Sequence, residues 1–310
     1  MPESMAIVNG VIEPETEVQI SVNSFSAALG MIAFEAFRAY NTSKGYVTFR
    51  LDDHLERLRL SLAGLGTTLP MDAEDVRQGI STLIDRLDTP PANLYLKIMV
   101  YWPTVLAGTS LIDMASLPCH WAIFARETSE EALNAVERVS CGISSWRRTP
   151  DTAAPGGAKI SANYYNARLA LAPAIRAGYS NAIMLDDNGF VAEAAESNVF
   201  VIRGDVLSTP PTSAPILAGI TRSTVLTLAS ETLGWCVEER PIRVSDLYGA
   251  DAVVLTNTAK LVRQVDSLNG SSISQRSSGG GPAETLLATY LEAARGSSNS
   301  NRRWTKPLSE

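Results

Sequence analysis

Residues 144–200 constrain this chain more than any other stretch. They open with Ser144-Ser-Trp-Arg-Arg-Thr-Pro150 and pass through Gly156-Gly157-Ala158-Lys159. The apolar periodicity of residues 163–177 predicts a helix that stops at Gly178. Residues 181–185 and 190–193 read as strands flanking the turn Asp187-Asn188-Gly189. The same scaffold carries Lys159, Tyr164 and Glu193.

A lysine, a tyrosine and a carboxylate brought together are what pyridoxal phosphate (PLP) requires. The lysine forms a Schiff base, the carboxylate keeps the pyridine nitrogen protonated, and the phenol sits by the ring oxygen. Each residue also has an ordinary reading. A lysine is usually a solvated surface group, and the chain has five: Lys44, Lys97, Lys159, Lys260 and Lys306. Lys159 differs in following two glycines, which permit close backbone approach to a flat group. Glu193 alone is a polar strand end, with Glu196 as a competing carboxylate, and Tyr164 is a helix-start aromatic with Tyr165 beside it. Leu217-Ala-Gly-Ile220-Thr221 opens a helix whose free N–H groups suit an anion, which is a weak signal by itself.

Composition removes several other classes. A net charge of −7 with no long basic run argues against a nucleic-acid partner. Cys119, Cys141 and Cys236 are too widely spaced for a metal or disulfide framework, and the two histidines, His54 and His120, suggest no metal site. Hard chemistry therefore falls to an organic cofactor. The start MPESMAIVNG lacks the basic and apolar segments of a signal peptide, and no apolar run is long enough to span a bilayer. A soluble, cytoplasmic protein is expected.

Along the chain, Asn9-Gly10 between AIV and VIE predicts a hairpin, and residues 18–22 read as a further strand. Residues 31–40 are apolar and aromatic and stop at a turn, after which residues 46–49 return as a strand. Leu51, Leu55, Leu58 and Leu62 place a helix over residues 51–65, with Arg59 at the rim of the leucine stripe. Residues 72–87 form a second helix, and residues 94–101 and 121–125 are strands. The polar segment 128–134 is the linker candidate, which gives a small α/β domain over residues 1–130 and a larger one over residues 131–295. The second domain is expected to contain strands at 136–145, 199–203, 206–208, 235–240 and 252–255, and helices at 220–233 and 282–295. The Ser/Gly-rich residues 271–281 are expected to be flexible, and the tail at 296–310 disordered.

The run from Trp146 through Lys159 and Tyr164, then Glu193-Ala-Ala-Glu-Ser-Asn198-Val-Phe and Leu217-Ala-Gly-Ile-Thr-Arg222, resembles the fold-type IV PLP enzymes. It is most similar to the branched-chain amino acid aminotransferases, over residues 9–268. The resemblance implies a two-domain fold of the D-amino acid aminotransferase type, with PLP in the cleft between domains. It implies a homodimer whose neighbouring small domain helps close the pocket. It makes Lys159 the Schiff-base lysine and proton carrier, and Glu193, five residues before Asn198, the partner of the pyridine nitrogen. Tyr164 would meet the ring oxygen and Leu217 the ring face. Arg59, Ile220, Thr221 and Thr258 would bind phosphate. Leu29, Phe34, Ala36, Arg38, Tyr95, Lys97 and Ala259 would line the substrate pocket.

Three of those pocket positions depart from the branched-chain pattern: Leu29 replaces an aromatic residue, Ala36 a glycine and Lys97 an arginine. Lys97 resembles the corresponding lysine of aminodeoxychorismate lyases. The implied reaction is ping-pong transamination between L-leucine, L-isoleucine or L-valine and 2-oxoglutarate. Alternatives are a D-amino acid or (R)-amine transaminase, a lyase, or a non-catalytic ligand-binding descendant of the fold.

Overall fold

The computed structural model describes residues 4–87, 89–105, 113–273, 280–296 and 303–308. The chain forms two compact units: Met1–Glu130 with Ala158–Ala162 and Ala293–Glu310, and Glu131–Gly157 with Asn163–Glu292. The five residues around Lys159 therefore belong to the first unit, although the chain on both sides of them belongs to the second.

In the first unit, β1 (Met5–Val8) and β2 (Val11–Pro14) form the expected hairpin. Asn9 and Gly10 both take positive φ, the requirement of the tight turn that matches strand twist. β3 (Ile32–Thr42), β4 (Gly45–Phe49), β5 (Asn93–Tyr101) and β6 (His120–Glu127) complete the centre of an antiparallel sheet. The order runs from a last strand, Thr305–Pro307, through β4, β3, β5, β6 and β1 to β2. One face is covered by α2 (Leu51–Ala63) and α3 (Ala73–Ile84). Leu51, Leu55, Leu58 and Leu62 pack there with Val76, Ile80, Ala33, Phe37, Leu96 and Ile98. Asp72 caps α3 in a capping box with Asp75.

Two sequence expectations fail in this unit. Residues 18–22 make no strand, and Val22 is 89% exposed. Short polar side chains take the local backbone bonds instead: Ser21 Oγ accepts from Asn23 N–H, and Ser24 caps the short helix α1 (Phe25–Leu29). The tail at 296–310 is not wholly disordered either. Thr305, Lys306 and Pro307 pair with Phe49, Thr48 and Val47, and Trp304 is buried edge-on to Phe49. Burial of an indole holds this end in place. Residues 297–302 and 309–310 lie outside the described residues.

The second unit holds a mixed sheet ordered β12, β11, β10, β13, β14, β7, β8, β9. These are β7 (Glu137–Ile143), β8 (Asn181–Leu185), β9 (Val191–Ala194), β10 (Asn198–Arg203), β11 (Val206–Thr209), β12 (Cys236–Glu239), β13 (Ala252–Asn257) and β14 (Leu261–Leu268). One face buries Val139, Ile183, Val199, Val201, Val253, Leu255 and Val265 together. Its helices are α4 (Glu130–Asn134), which occupies most of the segment read as a linker, α5 (Tyr164–Arg176), α6 (Ile220–Glu231), α7 (Val244–Tyr248) and α8 (Pro282–Ala294). The Ser/Gly-rich segment begins ordered: β15 (Ser271–Ser272) pairs with β14 and Ile273 is buried. Residues 274–279 lie outside the described residues. Among the described residues no helix is long and apolar enough to cross a membrane.

Candidate active site

Strand alternation places five expected pocket residues on one face of the first unit's sheet. Phe34, Ala36 and Arg38 alternate along β3, opposite Met99, Lys97 and Tyr95 of β5. This is the face away from the α2 and α3 core, whose β3 contacts come from Ala33, Phe37 and Ala39. Arg38 is buried, donates to Asn93 Oδ1 at 2.8 Å, and lies 5.6 Å over the Tyr95 ring. Leu29 closes α1 and is 39% exposed, followed by Gly30 in the left-handed conformation. A Cβ on Gly30 would come within 3.2 Å of Ala162, so glycine also permits the approach of the lysine segment.

Lys159 is half-buried on this face. Its backbone N–H donates to Ser61 Oγ at 2.9 Å, and its carbonyl accepts from Phe34 N–H at 3.1 Å. Its Nζ lies 4.6 Å from the centre of the Phe34 ring, and Lys97 Nζ lies 5.0 Å from the same ring. Partial burial, and secondarily the charge of Lys159, push the Lys97 amine below its ordinary range.

Behind this face, Glu35 is fully buried. Arg57 holds it through two bonds of 2.6 and 2.8 Å, and His54 Nδ1 lies 2.7 Å from Oε2. Burial pushes the Glu35 carboxyl up, but the charge of Arg57 and the hydrogen bonds of His54 and Arg57 outweigh it and hold it at about 2. Burial pushes His54 below its usual value, so the imidazole is neutral at pH 7 and donates a hydrogen bond rather than forming a salt bridge.

Arg57 and Arg59 occupy opposite sides of α2. Arg57 shares the face of His54 and Ser61, at spacings of three and four, and its side chain is 11% exposed. Arg59 is 51% exposed and pairs with Glu56 at 2.7 Å. The structure thus puts the residue expected to bind phosphate away from Ser61 and Lys159, and its neighbour toward them.

In the second unit the residues around Glu193 converge. Glu193 is 7% exposed near the end of β9. Its Oε1 accepts from Arg148 Nε at 2.7 Å, and Oε2 accepts from Leu217 N–H at 3.1 Å and Asn198 Nδ2 at 3.3 Å. Asn198 also donates to the Leu217 carbonyl at 2.9 Å, tying Glu193 to the segment that enters α6. Asn166 Oδ1 accepts from Arg148 Nη1 and from Thr149 N–H, holding the arginine in turn. A buried carboxylate is tolerable because this network satisfies it. Gly219, immediately before α6, admits no side chain, since a Cβ would collide with Asn198 Oδ1. Ile220 and Thr221 are buried in the first turn of α6, and Thr258 and Ala259 lie in the turn after β13. Tyr164 begins α5 half-buried, whereas Tyr165 is 69% exposed.

Sequence reasoning assigned no role to Ser61, Arg57, Arg148 or Asn166. Within the second unit, a fixed buried carboxylate lies beside a helix N-terminus whose first turn carries Thr221, and the first unit carries the lysine amine; each is a donor of the kind PLP chemistry needs, and the residues present fit that group.

A family model described as amino-transferase class IV matches residues 32–268. A probable branched-chain-amino-acid aminotransferase of Aquifex aeolicus is 32% identical over 308 residues, covering 98% of this chain and 96% of its own length. The branched-chain-amino-acid aminotransferase of Salmonella typhimurium is 30% identical over 84% of each chain. Among solved structures, the branched-chain aminotransferase of Thermoproteus uzoniensis with norvaline is 30% identical, with a TM-score of 0.88 over 99% of each chain. The branched-chain amino acid aminotransferase of Thermobaculum terrenum in its PLP form is 28% identical, with a TM-score of 0.88 over the same shares.

Proposed function

Because this chain belongs to the class IV aminotransferases, we propose that it moves amino groups from branched-chain L-amino acids to a 2-oxo acid such as 2-oxoglutarate, using PLP. The observation that carries the reading is the buried Glu193 carboxylate, held by Arg148, Asn198 and Leu217 N–H. When bound, the cofactor supplies the electron sink that stabilises negative charge at the substrate carbon. Glu193 would hold the proton of the pyridine nitrogen, and Arg148 would keep Glu193 turned to that task. Tyr164 would meet the ring oxygen. Thr221, Thr258 and the N–H groups opening α6 would take the phosphate. Lys159 Nζ would carry the proton off the substrate Cα to the cofactor's C4′ in the first half-reaction, and would carry one back to the acceptor's Cα in the second. On the Phe34 face of the first unit's sheet, Arg38, Tyr95 and Lys97 would orient the substrate, with Ala36, Leu29 and, from the second unit, Ala259 limiting its bulk.

Arg57 rather than Arg59 is proposed as the phosphate arginine, because it lies on the Ser61 side of α2. Arg57→Lys keeps the charge beside Glu35 but loses the planar fork, and should weaken PLP binding about tenfold. Arg59→Ala should change it by less than about twofold. Equilibrium titration of PLP into the cofactor-free variants reads both values. Equal losses would return the phosphate role to Arg59.

Lys97 and Leu29 favour a second reading, a D-amino acid or (R)-amine transaminase, since both stand where the branched-chain pattern differs. The visible absorbance of the PLP-loaded protein separates the two. Bleaching by L-leucine but not by D-alanine or (R)-1-phenylethylamine is expected. Bleaching by only the latter two would replace the branched-chain reading. A homodimer and a cytoplasmic setting are part of the proposal. A sedimentation mass of one chain would count against the dimer.

A further inference from the structure

Residues 158–162 leave the second unit and return to it, yet Lys159 is fixed by the first unit at both backbone groups. On one side, Phe34 N–H of β3 donates to the Lys159 carbonyl, and Ala33 bridges Ile160. On the other, Ser61 of α2 accepts the Lys159 N–H while its own hydroxyl donates to the Arg57 carbonyl at 2.9 Å. Ser61 is completely buried, so its hydroxyl exchanges no bond with solvent. The two supports are themselves tied together. Glu35, next to Phe34 in β3, is gripped by His54 and Arg57, which share the Ser61 face of α2.

We propose that Ser61 is a positioning residue for Lys159: it holds the lysine backbone against α2 so that Nζ swings from a fixed point above the Phe34 ring. The Glu35–Arg57–His54 cluster sets the spacing between the two supports. A long flexible side chain that must both bind a cofactor and carry protons gains from a backbone that does not move, because small displacements of a reacting atom are costly in rate. The proposal rests on the transaminase reading for its catalytic half, and on geometry alone for its structural half.

The test compares wild-type protein with Ser61→Ala and Ser61→Cys, the cysteine keeping the size of the side chain but accepting a hydrogen bond weakly. Backbone hydrogen exchange is read by mass spectrometry in the peptide holding Lys159, without and with PLP. The kcat and KM are measured with L-leucine and 2-oxoglutarate. In Ser61→Ala the Lys159 amide should exchange about tenfold faster while peptides of α3 do not change. The kcat should fall about tenfold with KM for L-leucine within about twofold, and Ser61→Cys should lie between. Unchanged exchange at Lys159 overturns the proposal, as does faster exchange with unaltered kcat. Faster exchange throughout α2 and β3, with kcat and KM moving together, would reduce Ser61 to a packing role. If the alanine variant does not fold, the cysteine variant carries the same comparison. Failure of wild-type protein to bind PLP would refute the transaminase reading, while the exchange data would still decide whether the clamp exists.

Discussion

Lys159→Ala should abolish multiple-turnover transamination, with a loss of about 10⁴-fold or more in kcat. The size follows from two duties that no neighbour can take over. Lys97 also reaches the Phe34 ring, but it starts from β5, whereas Lys159 is fixed at both backbone groups by Ser61 and Phe34. Removing the amine should leave the fold intact, because the backbone bonds that hold the segment do not involve the side chain. Single-turnover and steady-state assays with L-leucine and 2-oxoglutarate would check this, alongside a thermal melt. Retained steady-state turnover in a variant melting like wild type would remove Lys159 from its role. Exogenous methylamine, as a small diffusible base, should restore part of the proton-transfer rate without restoring tight cofactor retention.

Glu35→Gln should cost about 3–5 kcal/mol of stability, because it leaves Arg57 charged and mostly buried without its counter-ion. The pH dependence gives the same cluster a signature. The Glu35 carboxyl has a folded value near 2, below its ordinary 4.5, so its contribution is present above 4.5 and is lost as pH falls from there through 2. The neutral His54 adds to the trend at a higher pH. Its folded value is below 6.5, so the unfolded chain takes up a proton first and stability declines as pH drops below 6.5. Wild-type protein should therefore lose stability in two stages on acidification. In Glu35→Gln the lower stage should be largely absent. Urea unfolding at pH 7, 5.5 and 3.5 would measure both, read on the transition that reports the first unit. A variant as stable as wild type at pH 7 would show that the buried pair adds nothing net.

Much of the architecture was legible because local signals agreed with it. Asn9-Gly10 needed positive φ at two residues, and the leucines of α2 repeat at the spacing of a helix face packed on a sheet. Glu193 and Asn198 were legible as a pair, and their side chains do meet. What escaped depended on partners distant in sequence. β14 pairs with β13 on one side and β7 on the other, but its LVRQVDSL reads as broken by Arg263 and Gln264. Arg263 is accommodated because Ser197 Oγ accepts from it at 2.7 Å, a contact the sequence does not announce. The choice between Arg57 and Arg59 was illegible for a related reason. Both lie beside the leucine stripe, and only the position of buried Glu35 in β3 decides which one turns inward. The last strand was hidden by its polar, low-complexity surroundings, and what fixes it is Trp304 against Phe49.

The path of the chain through the first unit also governs how the protein can be made. That unit needs residues from the beginning of the chain, a five-residue visit near the middle and the strand Thr305–Pro307, which adds to the edge of β4. A ribosome that has delivered residues 1–130 has delivered a sheet whose β4 lacks its neighbour Thr305–Pro307, and without the segment bearing Lys159. Long-range closures of this kind slow folding and leave strand edges open to wrong partners. Completion of the first unit therefore waits for that last strand to emerge, and synthesis cannot leave a finished, lysine-bearing half behind if it stops early.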